Sequence, residues 1–134
     1  MPVRTVFNLF PALAGRIEDA AASEVKKTGN QIKEHIQVSM NNSKHGRVYI
    51  RFGRQHVASA PGESPAVDLG NLANSVQFDM LGKTRGAVYT TVDYAEYLEF
   101  GTARMAARPA FGPAADFAFP QLVDALRNLE SLIR

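Results

Sequence analysis

The positions Leu13, Ile17, Ala21, Val25, Thr28, Ile32 and Ile36 form an apolar stripe that advances in steps of three or four. That spacing returns to one side of a 3.6-residue helix and predicts an amphipathic helix through this stretch. Arg16, Glu18, Asp19, Lys26, Lys27, Lys33 and Glu34 fall on the other side, so one face meets a sheet or a partner while the other meets water. Asn8 is placed to cap the start, and Pro11 fits a first turn, whose amides have no intrahelical partner. Gly15 and Gly29 each cost about 1 kcal/mol relative to alanine inside a helix. Gly29 is therefore a candidate break, but the stripe keeps its phase across it and favours one long helix.

Asn41 to Gly46 is a turn by composition. Val48, Ile50 and Phe52 then alternate with Arg47, Tyr49 and Arg51, the period of a half-buried strand whose outer face is basic. Ser59-Ala60-Pro61-Gly62-Glu63-Ser64-Pro65 predicts an extended loop or flap around 53–68, ordered in itself or on assembly. Asp68 to Ser75 predicts a short helical turn pinned by Leu69 and Leu72. Val76 to Met80 and Ala87 to Val92 read as a hairpin joined by Leu81 to Gly86. Asp93 and Glu96 have the spacing of a capping box, which starts a helix at Tyr94, and Gly101 supplies the residue that ends it at Phe100. Arg108-Pro109 and Gly112-Pro113 predict extended or turn geometry. Beyond them, Leu122 or Val123, Leu126, Leu129 and Ile133 are spaced as a last helix that Pro120 starts or kinks. The order of elements gives an α+β fold: a small antiparallel sheet packed against a long N-terminal helix, with a short helix and a C-terminal helix.

The length of 134 residues suits one core, so the chain 1–134 is expected to be a single domain. With 46% apolar and 21% charged residues, composition is that of an ordinary globular protein. No apolar run reaches the roughly 18 residues of a membrane span, and the first ten residues lack the pattern of a signal peptide. The protein is expected to stay where it is made. The absence of cysteine excludes disulfides and thiolate metal sites.

Charge adds an asymmetry to this picture. Residues 1–62 carry nine Lys or Arg against four Asp or Glu, and residues 63–134 carry six against nine. Lys44, Arg47, Arg51 and Arg54 lie in a segment from Lys44 to Gly62 that holds no acid. Such a stripe faces a phosphate backbone or an acidic neighbour, or is simply a solvated loop and strand face.

Candidate chemistry is sparse. Glu96 and Glu99 share a helix face, as an acid/base pair would, but Arg104 and Arg108 beside them make structural ion pairs that fix the loop the simpler reading. His35, His45 and His56 lack paired metal-ligand spacing, and no phosphate loop, nucleophile elbow or zinc motif is present. No cofactor and no catalysis are expected. Phe100 reads as a core anchor, Met105 as an interface residue, and Tyr94 and Tyr97 as residues at an edge of core or interface.

Tyr94-Ala95-x-x-Leu98-Glu99-Phe100-Gly101-Thr102, followed by Arg104-Met105-x-Ala107-Arg108-Pro109, resembles the small tail-component family of long-tailed bacteriophages and prophages, the neck or tail-completion proteins. Ser59 to Pro65 and Gly70-Asn71-Leu72-x-x-Ser75-Val76 resemble that family's upstream pattern, and the likeness covers most of residues 10–115. Where the family tends to carry an aromatic directly after the proline, this chain has Ala110-Phe111, which moves that role to Phe111. The resemblance implies a structural virion protein of the head-tail junction, made in the host cytoplasm. It implies a homo-oligomeric ring, hexameric by family likeness, that contacts connector or stopper proteins and the tail terminator and surrounds a DNA channel. Glu96, Glu99, Thr102, Arg104, Met105, Arg108 and Phe111 are then subunit or partner contacts, and Lys44, Arg47, Arg51 and Arg54 face DNA or an acidic partner. The competing readings are a basic nucleic-acid-binding module on that stripe, another neck component such as a tail terminator or head-tail adaptor, and a small hydrolase built on Glu96 and Glu99.

Overall fold

One helix, α1 (Pro2–Asn41), contributes Ile32, Ile36 and Met40 of its C-terminal half to the core. The computed structural model describes residues 2–42, 44–51, 53–66 and 71–132, with the backbone alone at 2–13, 51, 71, 130 and 132. The helix is already formed at Pro2, upstream of the expected cap, and the side chains of Asn8, Pro11 and Leu13 lie outside the described residues. It runs unbroken through Gly29. The reason for that glycine is steric: a Cβ there would sit 2.1 Å from Cε2 of Phe78. Gly29 is thus a notch that admits the Phe78 ring, and its lower helix propensity is offset by that contact.

Thr28, Ile32, Ile36 and Met40 are buried along α1, as the stripe predicts. Facing them, helix α4 (Phe111–Arg127) presents Ala114 and Ala118, with Ala110 just before its start, all in the same core cluster. Alanine at every fourth position lets the two helices approach closely, and full burial of Ile36 contributes roughly 1.5–3 kcal/mol. The expected stripe of α4 is therefore displaced. Leu122 and Leu129 are half-buried, but Val123 and Leu126 are exposed, and Ile133 lies outside the described residues. Pro120 lies inside the helix rather than at its start, and a 3₁₀ turn, Asn128–Leu132, continues it.

Among the described residues the strands form two separate antiparallel pairs rather than one sheet. In the first, β1 (Val48–Arg51) pairs with β2 (Arg54–Val57), Val48 opposite Val57 and Arg51 opposite Arg54. In the second, β3 (Gln77–Gly82) pairs with β4 (Arg85–Tyr89), with a register shift between Met80 and Gly82. The second lies under α1, which packs against β3, β4, α4 and the short helix α2 (Asn71–Ser75). Leu72 of α2 touches the core; Asp68, Leu69 and Gly70 lie outside the described residues. The turn of the second hairpin is tied to α1 by Lys83 Nζ, 2.8 Å from Asp19 and 3.5 Å from Glu18.

The first hairpin corrects two expectations. The flap around 53–68 begins with a strand, and β1 is not half-buried: Val48, Tyr49 and Ile50 are all exposed. Alternation predicts a buried face only where another layer covers it. Phe52, the third residue of that alternation, lies outside the described residues.

Candidate functional site

Helix α3 (Ala95–Phe100) and the segment that joins it to α4 are braced by hydrogen bonds to one another and to the flap. No capping box starts α3: Tyr94 is the N-cap, in a helical conformation, and no side chain caps it. Asp93 and Glu96 are both exposed. The helix ends as expected at Gly101, whose φ of 78° and ψ of 176° are open to glycine alone at acceptable cost. A Cβ on Gly101 would also lie 2.9 Å from the Ala107 amide nitrogen and 3.0 Å from the Met105 carbonyl. Thr102 and Met105 then close a tight turn through paired backbone bonds of 2.9 and 3.3 Å, and the Arg104 amide donates to Thr102 Oγ1 at 3.2 Å.

Glu99 has a role that its neighbours in sequence do not reveal. Its Oε2 accepts from the amides of Ala110 at 2.7 Å and Phe111 at 3.1 Å, and its Oε1 accepts from Gly112 at 2.8 Å. Those are the first donors of α4, which an alanine N-cap cannot satisfy with its own side chain. The next residue, Pro113, has no amide to satisfy, and Ala114 already bonds the Ala110 carbonyl at 3.3 Å. The donor count of the first turn therefore closes. Glu99 caps the following helix from outside it, and Gly112-Pro113 belongs to that first turn rather than to an extended loop.

Among the described residues, the ion pairs expected to fix this loop do not form within the chain. Glu96, Glu99, Arg104 and Arg108 make no salt bridge with one another among the described residues. Arg108 reaches instead to Ser59 Oγ at 2.9 Å, while its own amide donates to the Leu98 carbonyl at 2.6 Å. Arg104 and Thr102 are exposed and Met105 is half-buried. Phe111 packs against the core. Phe100 is 78% exposed, which overturns its reading as a core anchor; Tyr94 and Tyr97 beside it are exposed as well.

Arg108 also links α3 to the flap, which is pinned on two sides. The Gly62 amide donates to the Ala107 carbonyl at 3.0 Å. On the other side, Lys44 Nζ donates to the Ser39 carbonyl and to Ser64 Oγ, both at 2.6 Å. Desolvation lowers the Lys44 pKa and Glu63 partly opposes that shift. Glu63 Oε2 accepts from the amides of Ala60 and His45 at 2.9 and 3.1 Å, while its Oε1 meets His45 Nδ1 at 2.6 Å. These bonds hold its carboxyl at about 2, well below the usual range. The basic stripe is consequently divided: Lys44 is turned into the scaffold, Arg47 and Arg54 are exposed, and the Arg51 side chain lies outside the described residues.

Elsewhere the chemistry is that of packing. His35 lies against Phe117 with ring centroids 4.7 Å apart. An apolar groove of about 430 Å³ runs between α1, β4 and α4, lined by Val25, Gly29, Phe78, Phe119 and Leu122 among others. Among the described residues no group of His, Asp and Glu could hold a metal ion, and no helix is long and apolar enough to cross a membrane.

Residues 13–101 match the family described as "Bacteriophage HK97-gp10, putative tail-component". No curated protein and no solved structure matches the chain. The matched span runs from α1 through the end of α3, so Thr102, Arg104, Met105, Arg108 and Phe111 lie beyond it. The chain belongs to the HK97-gp10-like family of phage tail components, structural proteins of the virion that work in contact with other virion proteins.

Proposed function

We propose that the protein completes the tail at the head-tail junction, as a non-enzymatic neck protein acting as one unit over its whole length. Its copies form a closed ring, six by family likeness, between connector or stopper proteins and the tail terminator, with DNA passing through the lumen. The observation that carries this reading, beyond family membership, is the exposure of Tyr94, Tyr97 and Phe100 on a frame that is hydrogen-bonded on both sides. Large apolar side chains clustered on a fixed surface mark a protein contact. A ring needs two different surfaces on each copy, and the unequal charge of the two halves of the sequence supports contacts between unlike surfaces.

Glu99 argues against the hydrolase reading, because both of its oxygens are occupied by amides of α4. Glu96 is then a lone exposed carboxylate. The nucleic-acid reading retains Arg47 and Arg54, the described members of the basic stripe that stay exposed, and contacts from them to phosphate would carry no base reading. Cryo-EM of the assembled neck tests the proposal. We expect density for this chain in a ring adjoining the connector, with α3 against a neighbouring chain; a neck without the chain, or an α3 that faces solvent in it, overturns the reading. DNA binding by the isolated protein that falls steeply with salt would instead favour the nucleic-acid module, since phosphate contacts release counterions.

A further inference from the structure

The first hairpin and α3 each present exposed large apolar side chains, and the exposed charges near them are of opposite sign. On the hairpin, Val48 is 54% and Ile50 is 79% exposed. Alternate residues of a strand share a face, so these two form one apolar strip. On α3, Tyr97 is 58% and Phe100 is 78% exposed, three apart and therefore adjacent on the helix. Arg47 and Arg54 are exposed on the same two-stranded ribbon, and the exposed Asp93 and Glu96 lie beside the aromatic pair. None of these four charged side chains has an ion pair among the described residues.

We infer that the β1–β2 hairpin of one copy docks on α3 of the next copy, Val48 and Ile50 against Tyr97 and Phe100, with Arg47 and Arg54 meeting Asp93 and Glu96 at the rim. This deepens the ring reading and rests on it, since it names the two unlike surfaces a ring requires. An apolar centre with a charged rim is how such interfaces are built. Arg47 and Arg54 belong to the opposite face of the ribbon from Val48 and Ile50. The ribbon is only two strands wide, however, so side chains of arginine's length reach round its edge. A two-stranded ribbon whose first strand is exposed at Val48, Tyr49 and Ile50 is marginal by itself, and docking covers its apolar strip. A second copy is the occupant that fits, because the charges complement one another within the same sequence. Two hairpins, or two α3 surfaces, would oppose like charges.

The chain has no cysteine, which permits a clean test. Ile50→Cys and Phe100→Cys replace highly exposed side chains, and under mild oxidation the double variant is expected to give a ladder of disulfide-linked multimers that ends at the ring size. Mixing the two single variants should give mainly the heterodimer, in which the Ile50→Cys chain is linked to the Phe100→Cys chain. A second measurement follows assembly by sedimentation. Arg47→Glu with Arg54→Glu, and separately Asp93→Lys with Glu96→Lys, should each abolish assembly, whereas mixing the two restores it, because alternating copies again place opposite charges together. If wild-type rings form but the ladder is absent, or the charge variants assemble as the wild type does, the docking inference falls and the ring reading stands. A disulfide closed within one chain, or Ile50→Cys alone dimerising as readily as the mixture, also overturns the docking. Wild-type protein that stays monomeric both alone and with its neck partners overturns both.

Discussion

Replacing Glu99 tests the central structural claim, that one carboxylate on α3 holds the start of α4. In Glu99→Ala the amides of Ala110, Phe111 and Gly112 lose their acceptor together. Gly112 is exposed and can turn to water, whereas Ala110 is buried in the core cluster and cannot. A lost helix cap costs about 0.5–2 kcal/mol, and hydrogen bonds to a charged acceptor about 1.5–3 kcal/mol each. Loss of two poorly re-solvated amides therefore places Glu99→Ala at about 2–4 kcal/mol. In a domain of this size that lowers Tm by about 6–20 °C. Glu99→Gln keeps one oxygen for Ala110 and Phe111 but turns an NH₂ toward the Gly112 amide, and is expected to lose about half as much. Glu96→Ala, three residues away and without a hydrogen bond among the described residues, is the control and should stay within about 0.5 kcal/mol of wild type. Urea unfolding measures the three variants, and hydrogen exchange at 110–112 localises the effect. A Glu99→Ala protein as stable as Glu96→Ala would refute the capping role.

Other predictions follow from the glycines and from the flap. Gly15 and Gly29 lie in the same helix, yet alanine should act in opposite directions. Nothing lies within 4 Å of a Cβ on Gly15, so Gly15→Ala should stabilise by about 0.5–1 kcal/mol, while Gly29→Ala meets Phe78 and should destabilise by about 1–3 kcal/mol. Thermal melts giving the two the same sign would contradict the notch. Gly101→Ala combines the disfavoured angles with two close backbone contacts and is expected to cost about 1–3 kcal/mol in urea unfolding; a cost near zero would mean that the turn relaxes freely. Because the folded carboxyl of Glu63 lies at about 2, below its ordinary value of 4.5, its contribution to stability is present above about 4.5 and is lost as pH falls toward 2. Protection factors of the Ala60 and His45 amides should drop through that window and be flat in Glu63→Gln. Equal protection at both ends in the wild type would rule this out.

Sequence spacing locates α1, the second hairpin and the end of α3 because each is fixed by a local rule: the helical period, alternation beside a glycine turn, and the conformational freedom of Gly101. It fails where the partner lies far along the chain. The cap on α4 links residues separated by 11 to 13 positions, and its one local sign is negative: Ala110-Phe111-Gly112-Pro113 begins a helix without a Ser, Thr, Asp or Asn to cap it. Phe100 escapes spacing for a related reason, since an aromatic carries no mark of whether the protein's own core or another chain will cover it. The Glu96, Glu99, Arg104 and Arg108 cluster suggests ion pairs because opposite charges lie close in sequence. In the folded chain, backbone amides and Ser59 compete successfully for two of the four.

That division of roles bears on how α3 could act in a ring. Glu99 and Arg108 face inward: one ties α3 to the start of α4 and the other ties it to the flap. Asp93, Glu96, Tyr97 and Phe100 face outward. Because the inward groups fix the backbone before any partner arrives, less ordering entropy is lost when the outward groups are covered. A charge change at Glu96 should therefore alter assembly without altering folding, whereas one at Glu99 should alter folding first. The two glutamates stand three residues apart in one short helix, and separating their effects by stability and assembly assays would show whether the braces serve the surface they carry.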